Sequence, residues 1–102
     1  MLNLKITIRS KKSKKNELLL TCRLISERTL KEKGCSSCTV GQNSDDEDII
    51  VLEQRWEKKR FLTEYFRSYH FRALLGAMKW LGRSYDLNID RVAKEERTVF
   101  RQ

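Results

Sequence analysis

The chain has no proline, and only four glycines, three cysteines and one histidine among its 102 residues. Without proline, no predicted strand is confined to the edge of a sheet by a missing backbone donor. No apolar run approaches the roughly 18 residues that a membrane-spanning helix needs. The glycines form no phosphate-cradling loop, and no serine stands in a recognisable nucleophile motif. These absences exclude several large protein classes and leave a small folded domain to explain.

The cysteines and the N-terminal segment indicate the compartment. An odd, low cysteine count (Cys22, Cys35 and Cys38) predicts reduced thiols and not a disulfide framework. The opening "MLNLKITIR" lacks the charged start and apolar middle of a secretory signal. We therefore expect a cytoplasmic location.

The "CSSC" stretch, Cys35–Cys38, could indicate a redox or zinc site. It lies at the start of a predicted strand, where positions i and i+3 point to opposite faces. A redox pair needs a helix N-terminus, and zinc needs four ligands at close range. We interpret these residues as two small buried thiols, and we expect no metal site.

The positive charge is concentrated at one end of the chain. The net charge is +8, and residues 1–33 carry ten Lys and Arg against three Asp and Glu. The cluster "RSKKSKK", Arg9–Lys15, can attract nucleic acid, anionic lipid or an acidic substrate. Residues 1–33 contain no aromatic ring on which a base could stack. We interpret the cluster as a solvated loop and helix start. Weak binding of nucleic acid or of an acidic partner stays open as a third alternative.

Hydrophobic periodicity predicts the elements. Period-two alternation indicates strands and a 3.6-residue period indicates helices. Ser68 interrupts the second helical segment and is placed to cap a new helical piece, and Gly82 is placed to end it. In chain order, the patterns predict a strand at 2–9, a helix over roughly 14–33, a strand at 35–42, a turn at 43–48, a strand at 49–56, helical segments from Lys58 to Leu81, and a strand at 84–92.

The order β-α-β-β-α-β predicts an α+β fold of the ferredoxin-like split βαβ type. Its four-stranded antiparallel sheet carries helices on one face. Ile49–Leu52 is apolar on both sides, so we expect the other face to be covered by a second copy in a two-fold symmetric homodimer. The domain is predicted over residues 1–92. Residues 93–102 are predicted to form a tail, whose apolar pair Val99–Phe100 could dock on a neighbouring subunit.

The stretch "VLEQRWEKKRFLTEYFRSYHFRALLGAM", Val51–Met78, resembles the antibiotic biosynthesis monooxygenase family, and so does "KGCSSCTV". With the element order, the resemblance covers about residues 1–92. It implies a dimeric α/β barrel. Members include cofactor-independent oxygenases of quinol-like or polyphenolic aromatics, haem-degrading enzymes and proteins with no assigned reaction. The haem-degrading branch carries a coordinating histidine where this chain has Leu74 and Leu75, so we expect neither haem nor another cofactor. Tyr69 replaces the proline that usually precedes the histidine.

The segment Trp56–Phe71 contains six aromatic rings and the only histidine. His70 is the predicted catalytic residue, because imidazole can take a proton from a phenol near neutral pH. The alternative is a histidine at a helix N-terminus that only packs or hydrogen-bonds locally. Trp56, Tyr65, Tyr69 and Arg72 are the predicted substrate-binding residues, although Trp56 and Tyr65 at this spacing also suit a hydrophobic core and Arg72 a solvated surface. The first hypothesis is cofactor-independent oxidation of a small aromatic or quinol-like compound. The alternative is a non-catalytic ligand-binding or regulatory dimer on the same scaffold.

Overall fold

The computed structural model describes residues 1–92. It contains four strands and three helices, in the order β-α-β-β-α-α-β. Their bounds are β1 Leu2–Ser10, α1 Lys15–Thr29, β2 Cys35–Gln42, β3 Ile49–Trp56, α2 Lys59–Phe66, α3 Tyr69–Leu81 and β4 Gly82–Arg91.

The strands form one antiparallel sheet in the order β2-β3-β1-β4. The first strand of the chain therefore lies in the interior of the sheet and pairs along its length with both β3 and β4. Leu2 is opposite Trp56 on one side and Arg91 on the other. This topology confirms the predicted ferredoxin-like fold.

Alternation along β1 and β3 makes the core. Leu4, Ile6 and Ile8 on β1 are completely buried, and so are Ile50 and Leu52, which lie opposite Ile8 and Ile6 on β3. The helices cover these side chains with buried residues of their own, among them Leu18, Leu74 and Met78. Burying one such side chain contributes about 1.5–3 kcal/mol. The packing fixes which face of the sheet meets the helices.

The opposite face of the sheet is mostly polar. Because β-strand side chains alternate, this face carries the residues between the buried ones. They include Lys5, Glu53 and Asp86, with Asn3 donating from Nδ2 to Glu53 Oε2 at 3.4 Å. Its apolar members on β3, Ile49 and Val51, are partly exposed. The sequence predicted an apolar face here, and the structure gives a mixed one. The homodimer remains a prediction.

The first helix is shorter than predicted. It ends at Thr29 and not near residue 33. Lys31 and Glu32 donate to the carbonyls three residues before them, at 3.1 and 2.9 Å, which replaces the α-helical pattern by tighter turns. Gly34 then takes a φ of +87° and its carbonyl accepts from Glu57 N at 2.8 Å. The early end of α1 frees Glu32 from the helix.

The second helical segment divides at Ser68, as predicted. The Ser68 hydroxyl accepts from Phe71 N at 3.2 Å and caps α3. Gly82 follows the last residue of α3, also as predicted. The break turns the chain between α2 and α3 and places Tyr69 and His70 at the start of a new helix.

No helix within residues 1–92 has the length and apolar character to cross a membrane. The predicted tail, including Val99–Phe100, lies outside the described residues.

Candidate functional site

Trp56 and Tyr65 meet in the core at the junction of β3 and α2. Trp56 is completely buried and Tyr65 is 1% exposed. Their ring centroids lie 4.7 Å apart. Gln54 joins them, because its Oε1 accepts from Trp56 Nε1 and its Nε2 donates to the Tyr65 hydroxyl, both at 3.1 Å. The polar atoms of the three side chains therefore satisfy one another within the core.

Aromatic packing fills the space around Tyr65. Phe71 stands edge-on to it at 5.4 Å between centroids, and Phe66 contacts Phe71 at 4.9 Å. Burial raises the pKa of Tyr65 to about 12, an effect that the hydrogen bonds from Gln54 and Thr29 oppose. The Tyr65 hydroxyl therefore stays protonated at neutral pH. A ligand would reach Tyr65 or Trp56 only by displacing other core side chains.

Replacing Tyr65 by Phe should lower the free energy of unfolding by about 1–3 kcal/mol, because the buried Gln54 amide loses its acceptor. Urea denaturation measures this change. The matched control is Thr63→Val on the exposed side of α2, which should alter stability by less than about 1 kcal/mol. A Tyr65→Phe protein of parental stability would show that the buried hydrogen bond contributes nothing.

His70 forms a pair with an acidic residue from another part of the chain. Its Nδ1 lies 2.9 Å from Glu32 Oε1, and each side chain is about one-third exposed, 31% for His70 and 30% for Glu32. An ionised carboxylate only accepts hydrogen bonds, so the contact places a proton on Nδ1 and leaves Nε2 as the acceptor of a neutral ring. A histidine oriented by a carboxylate in this way is the arrangement that general bases use.

Tyr69 and Arg72 lie on either side of His70 in the sequence, and the structure places them differently. Tyr69 is 69% exposed, and its ring stands edge-on to the His70 ring at 6.1 Å. Arg72 is exposed and donates from Nη1 to the Arg67 carbonyl at 3.0 Å. Residues two apart on a helix point to roughly opposite sides. Of the predicted substrate-binding residues, Tyr69 is thus the one whose ring is placed against that of His70.

The three thiols are free and mostly shielded. The β2–β3 register shifts between Cys35 and Ser37, so Cys35 lies opposite Trp56 and Cys38 opposite Gln54. Trp56 and Gln54 share the helix-facing side, and the extra residue therefore brings both cysteines to one face. The prediction of opposite faces was wrong because it assumed a regular strand.

Burial raises the pKa of all three thiols, to about 12 for Cys22 and about 11 for Cys35. Ser26 and Gln54 oppose the rise at Cys38 without cancelling it. Protonated thiols are poor nucleophiles and poor metal ligands. Within residues 1–92, no group of three or more His, Cys, Asp or Glu side chains is arranged to hold a metal ion.

A cavity of about 310 Å³ lies between α2 and β4, and we call it the α2–β4 cavity. Its apolar lining consists of Leu2, Leu62, Phe66 and Ile89, to which Thr63 adds a hydroxyl. The exposed cations Lys59 and Arg91 complete it. His70 is not among these residues. The volume is at the lower limit of ordinary ligand pockets and suits a small aromatic compound.

The model of the antibiotic biosynthesis monooxygenase family matches residues 1–76, which is most of the chain. This chain belongs to the antibiotic biosynthesis monooxygenase family. The match covers β1 to the middle of α3, including Glu32, Trp56 and His70. No sequence among curated proteins matches the chain significantly.

Solved structures share the fold of this antibiotic biosynthesis monooxygenase family member. A conserved protein from Methanosarcina mazei Go1 is 25% identical, with a TM-score of 0.83 over 90% of this chain and 92% of its own. A structure described as an antibiotic biosynthesis monooxygenase is 18% identical, with a TM-score of 0.81 over 91% of this chain and 99% of its own. A Deinococcus radiodurans protein, described as a proposed member of the same group, is 14% identical, with a TM-score of 0.86 over 92% and 94%.

The sequence patterns of this antibiotic biosynthesis monooxygenase family member did not indicate Glu32, Lys59 or Arg91 as residues of a functional site. Glu32 lies 38 residues before its partner His70. Lys59 and Arg91 line the same cavity from α2 and β4, at distant points of the chain. For Glu32 the one sequence signal was Gly34. A glycine at this position indicates a tight turn after α1, and hence a loop that could carry Glu32.

Proposed function

We propose that this protein is a monooxygenase-type enzyme that oxidises a small quinol-like aromatic compound without a cofactor. The observation that carries the proposal is the His70–Glu32 pair, in a chain of the antibiotic biosynthesis monooxygenase family. The pair provides a proton acceptor whose ring is oriented by a carboxylate. Tyr69 provides an exposed aromatic surface beside it.

The proposed first step is loss of a proton from the substrate. A substrate ring rests against Tyr69, and its hydroxyl donates to Nε2 of His70. Glu32 holds the imidazole through Nδ1 and stabilises the imidazolium that forms. The resulting phenolate is rich in electrons and reacts with oxygen far more readily than the neutral phenol does.

The proposed overall reaction balances without an external reductant. A hydroquinone and one O₂ give a hydroxyquinone and one water. One oxygen atom forms a new C–O bond on the ring, and the other takes up two hydrogens and leaves as water. The ring supplies the electrons that reduce the second oxygen atom. The expected absence of a cofactor follows from this stoichiometry, as the substrate is its own reductant.

We also propose that the protein forms a homodimer. A second copy on the mixed polar face of the sheet would leave the helices, and hence His70, on the outside of the pair. Tyr69 then stays accessible, which the proposed site requires.

The reaction is tested with ¹⁸O₂, an oxygen electrode and a panel of hydroquinones. We expect one O₂ to be consumed for each hydroquinone, with one labelled oxygen in the product and one in water. Catalase controls for peroxide, which a two-electron oxidase would form in place of water. Product without label, or oxygen returned on addition of catalase, would contradict a monooxygenase.

The second candidate is non-catalytic binding of a small aromatic anion in the α2–β4 cavity. It is favoured by the cavity lining, in which Lys59 and Arg91 can hold an anion while none of the described lining residues is acidic or a histidine. A thermal-shift assay with the same hydroquinones and with benzoate separates the two candidates. Binding alone is supported if these compounds raise the melting temperature of the parent protein but not of Ile89→Trp, and if the parent protein shows no turnover. Turnover that survives Ile89→Trp supports the site at His70.

A further inference from the structure

A second depression lies between α1 and α3, and we call it the α1–α3 groove. It measures about 530 Å³. Gly76 and Ala77 are its small residues, with Trp80, Leu81 and Thr21 beside them. Lys11 and Lys14 line it from the loop before α1, and the acidic Glu17 lines it from the first turn of α1. A β-carbon placed on Gly76 would meet nothing within 4 Å, which shows that the space above this residue is open. The groove therefore has room for a ligand of ordinary size.

Backbone pairing brings the basic loop to the end of α3. Ser10, at the end of β1, lies opposite Gly82, at the start of β4. The next residue, Lys11, donates its backbone N–H to the Leu81 carbonyl at 2.8 Å. Lys11 and Trp80 are 69 positions apart in the sequence, yet they line one groove. The fold therefore places the ring of Trp80 near the basic cluster, whose own segment, residues 1–33, contains no aromatic ring.

Trp80 is 79% exposed, whereas the other tryptophan, Trp56, is completely buried. An exposed indole beside cations is a surface on which a flat ring can stack. Its position at the C-terminal end of α3 separates it from His70 by about 15 Å of helix, at about 1.5 Å per residue. The groove is therefore distinct from the site of the proposed reaction.

The charge around the groove is local. Arg9 pairs with Asp46 at 2.9 Å and Lys15 with Glu47 at 3.0 Å, so acidic residues of the turn at 43–48 neutralise both ends of the basic cluster Arg9–Lys15. Lys14 has a looser contact with Glu17, at 3.6 Å. Lys11 has no ion pair among residues 1–92, and it is one of the residues that line the groove. Glu17 lines the groove and offsets part of the charge of Lys14, so the positive charge left beside Trp80 is chiefly that of Lys11.

We propose that the α1–α3 groove binds a flat aromatic anion of mononucleotide size, with the ring stacked on Trp80 and the phosphate held between Lys11 and Lys14. The N-cap Lys14 makes no side-chain capping bond, so the first turn of α1 has backbone N–H groups without a capping partner. One stacking ring and two cations match one nucleotide. A nucleic-acid strand would need a longer row of both.

Adenosine monophosphate is the probe, with adenosine and inorganic phosphate as its two halves. Because Trp56 is shielded, a saturable quench of tryptophan fluorescence reports on Trp80, and calorimetry gives the affinity independently. We expect the monophosphate to bind at least about tenfold more tightly than either half. Equal affinity for the monophosphate and adenosine would remove the role of the lysines and overturn the proposal.

Three variants identify the contacts. Trp80→Ala should weaken monophosphate binding, measured by calorimetry, by about tenfold or more. Lys11→Gln and Lys14→Gln should each weaken it by about three- to tenfold, and less in high salt. The matched control is Lys79→Gln, an exposed lysine next to Trp80 that does not line the groove, which should leave the affinity unchanged. The replaced side chains are exposed and outside the core, so the variants should retain the parent melting temperature.

Two further results would overturn the proposal. One is a Trp80→Ala protein that keeps the parental affinity. The other is affinity for oligothymidylates that rises steeply with strand length, because this result would identify a surface for a nucleic-acid strand in place of a site for one nucleotide. If a 5′-phosphorylated dinucleotide binds as tightly as longer oligothymidylates do, the single-nucleotide site is supported. None of these measurements depends on oxygen uptake, so the groove and the proposed reaction stand or fall separately.

Discussion

His70→Gln should lower kcat by about 10²–10⁴-fold on a hydroquinone that the parent protein oxidises, the usual contribution of a general base. The KM should change little, because Tyr69 still offers its ring to the substrate. The fold should persist, since a partly exposed His–Glu contact contributes only about 0–1 kcal/mol to stability. Oxygen uptake gives the rate, and urea denaturation confirms that the variant is folded.

Further variants separate proton transfer from structural support. In His70→Ala, added imidazole should restore part of the lost rate by supplying the missing base. Glu32→Gln keeps a hydrogen-bonding group near Nδ1 but removes the charge that stabilises the imidazolium, so its kcat should fall and imidazole should not rescue it. Tyr69→Phe is the matched control, since it keeps the ring and should keep kcat. Unchanged turnover in His70→Gln would eliminate His70 as the base.

Gly34→Ala should lower the free energy of unfolding by about 2–5 kcal/mol. Part of the loss comes from the backbone, because a φ of +87° is disfavoured for a residue with a β-carbon. The larger part is steric, since the added carbon would overlap the ring of Phe61, which is 8% exposed and held in the core. Urea denaturation measures the change.

Gly41→Ala is the matched control for Gly34→Ala. A β-carbon at Gly41 in β2 meets nothing within 4 Å, so this change should cost less than about 1 kcal/mol. The double variant Gly34→Ala/Phe61→Leu should not recover the lost stability, because leucine keeps the Cβ and Cγ atoms that the added carbon would overlap. A single Gly34→Ala variant as stable as Gly41→Ala would show that the turn accepts any residue. Because Gly34 closes the loop that carries Glu32, Gly34→Ala should also lower the rate of turnover.

Local patterns predicted the fold because each acts within a few residues. Alternation in "LNLKITIR" gave β1, the capping ability of Ser68 gave the break between α2 and α3, and Gly82 gave the end of α3. Where a local rule failed, an interaction with a distant segment had changed the geometry. Helix α1 stops early at the turn whose Gly34 carbonyl bonds to Glu57, and pairing with β3 introduces the irregularity between Cys35 and Ser37.

The candidate sites were less predictable, since they join residues that are far apart in the chain. His70 stood out as the only histidine, but no periodicity links it to Glu32. Trp56 and Tyr65 were predicted as substrate-binding residues that also suit a core, and the structure places both in the core, where Gln54 satisfies them. The meeting of Lys11 with Trp80 follows from the β1–β4 register, which sequence patterns do not determine.

The interior position of β1 governs the order in which the chain can assemble. β1 is synthesised well before both of its neighbours, so Leu2 can pair with Trp56 and with Arg91 only after these residues have been made. Contacts this remote in sequence slow folding, because a long loop must close before they form. The backbone edges of β1 therefore stay without their native partners until β3 and β4 have been synthesised. An extension fused to Met1, whose carbonyl accepts from Val92 N at 2.9 Å, would emerge beside the last strand to dock.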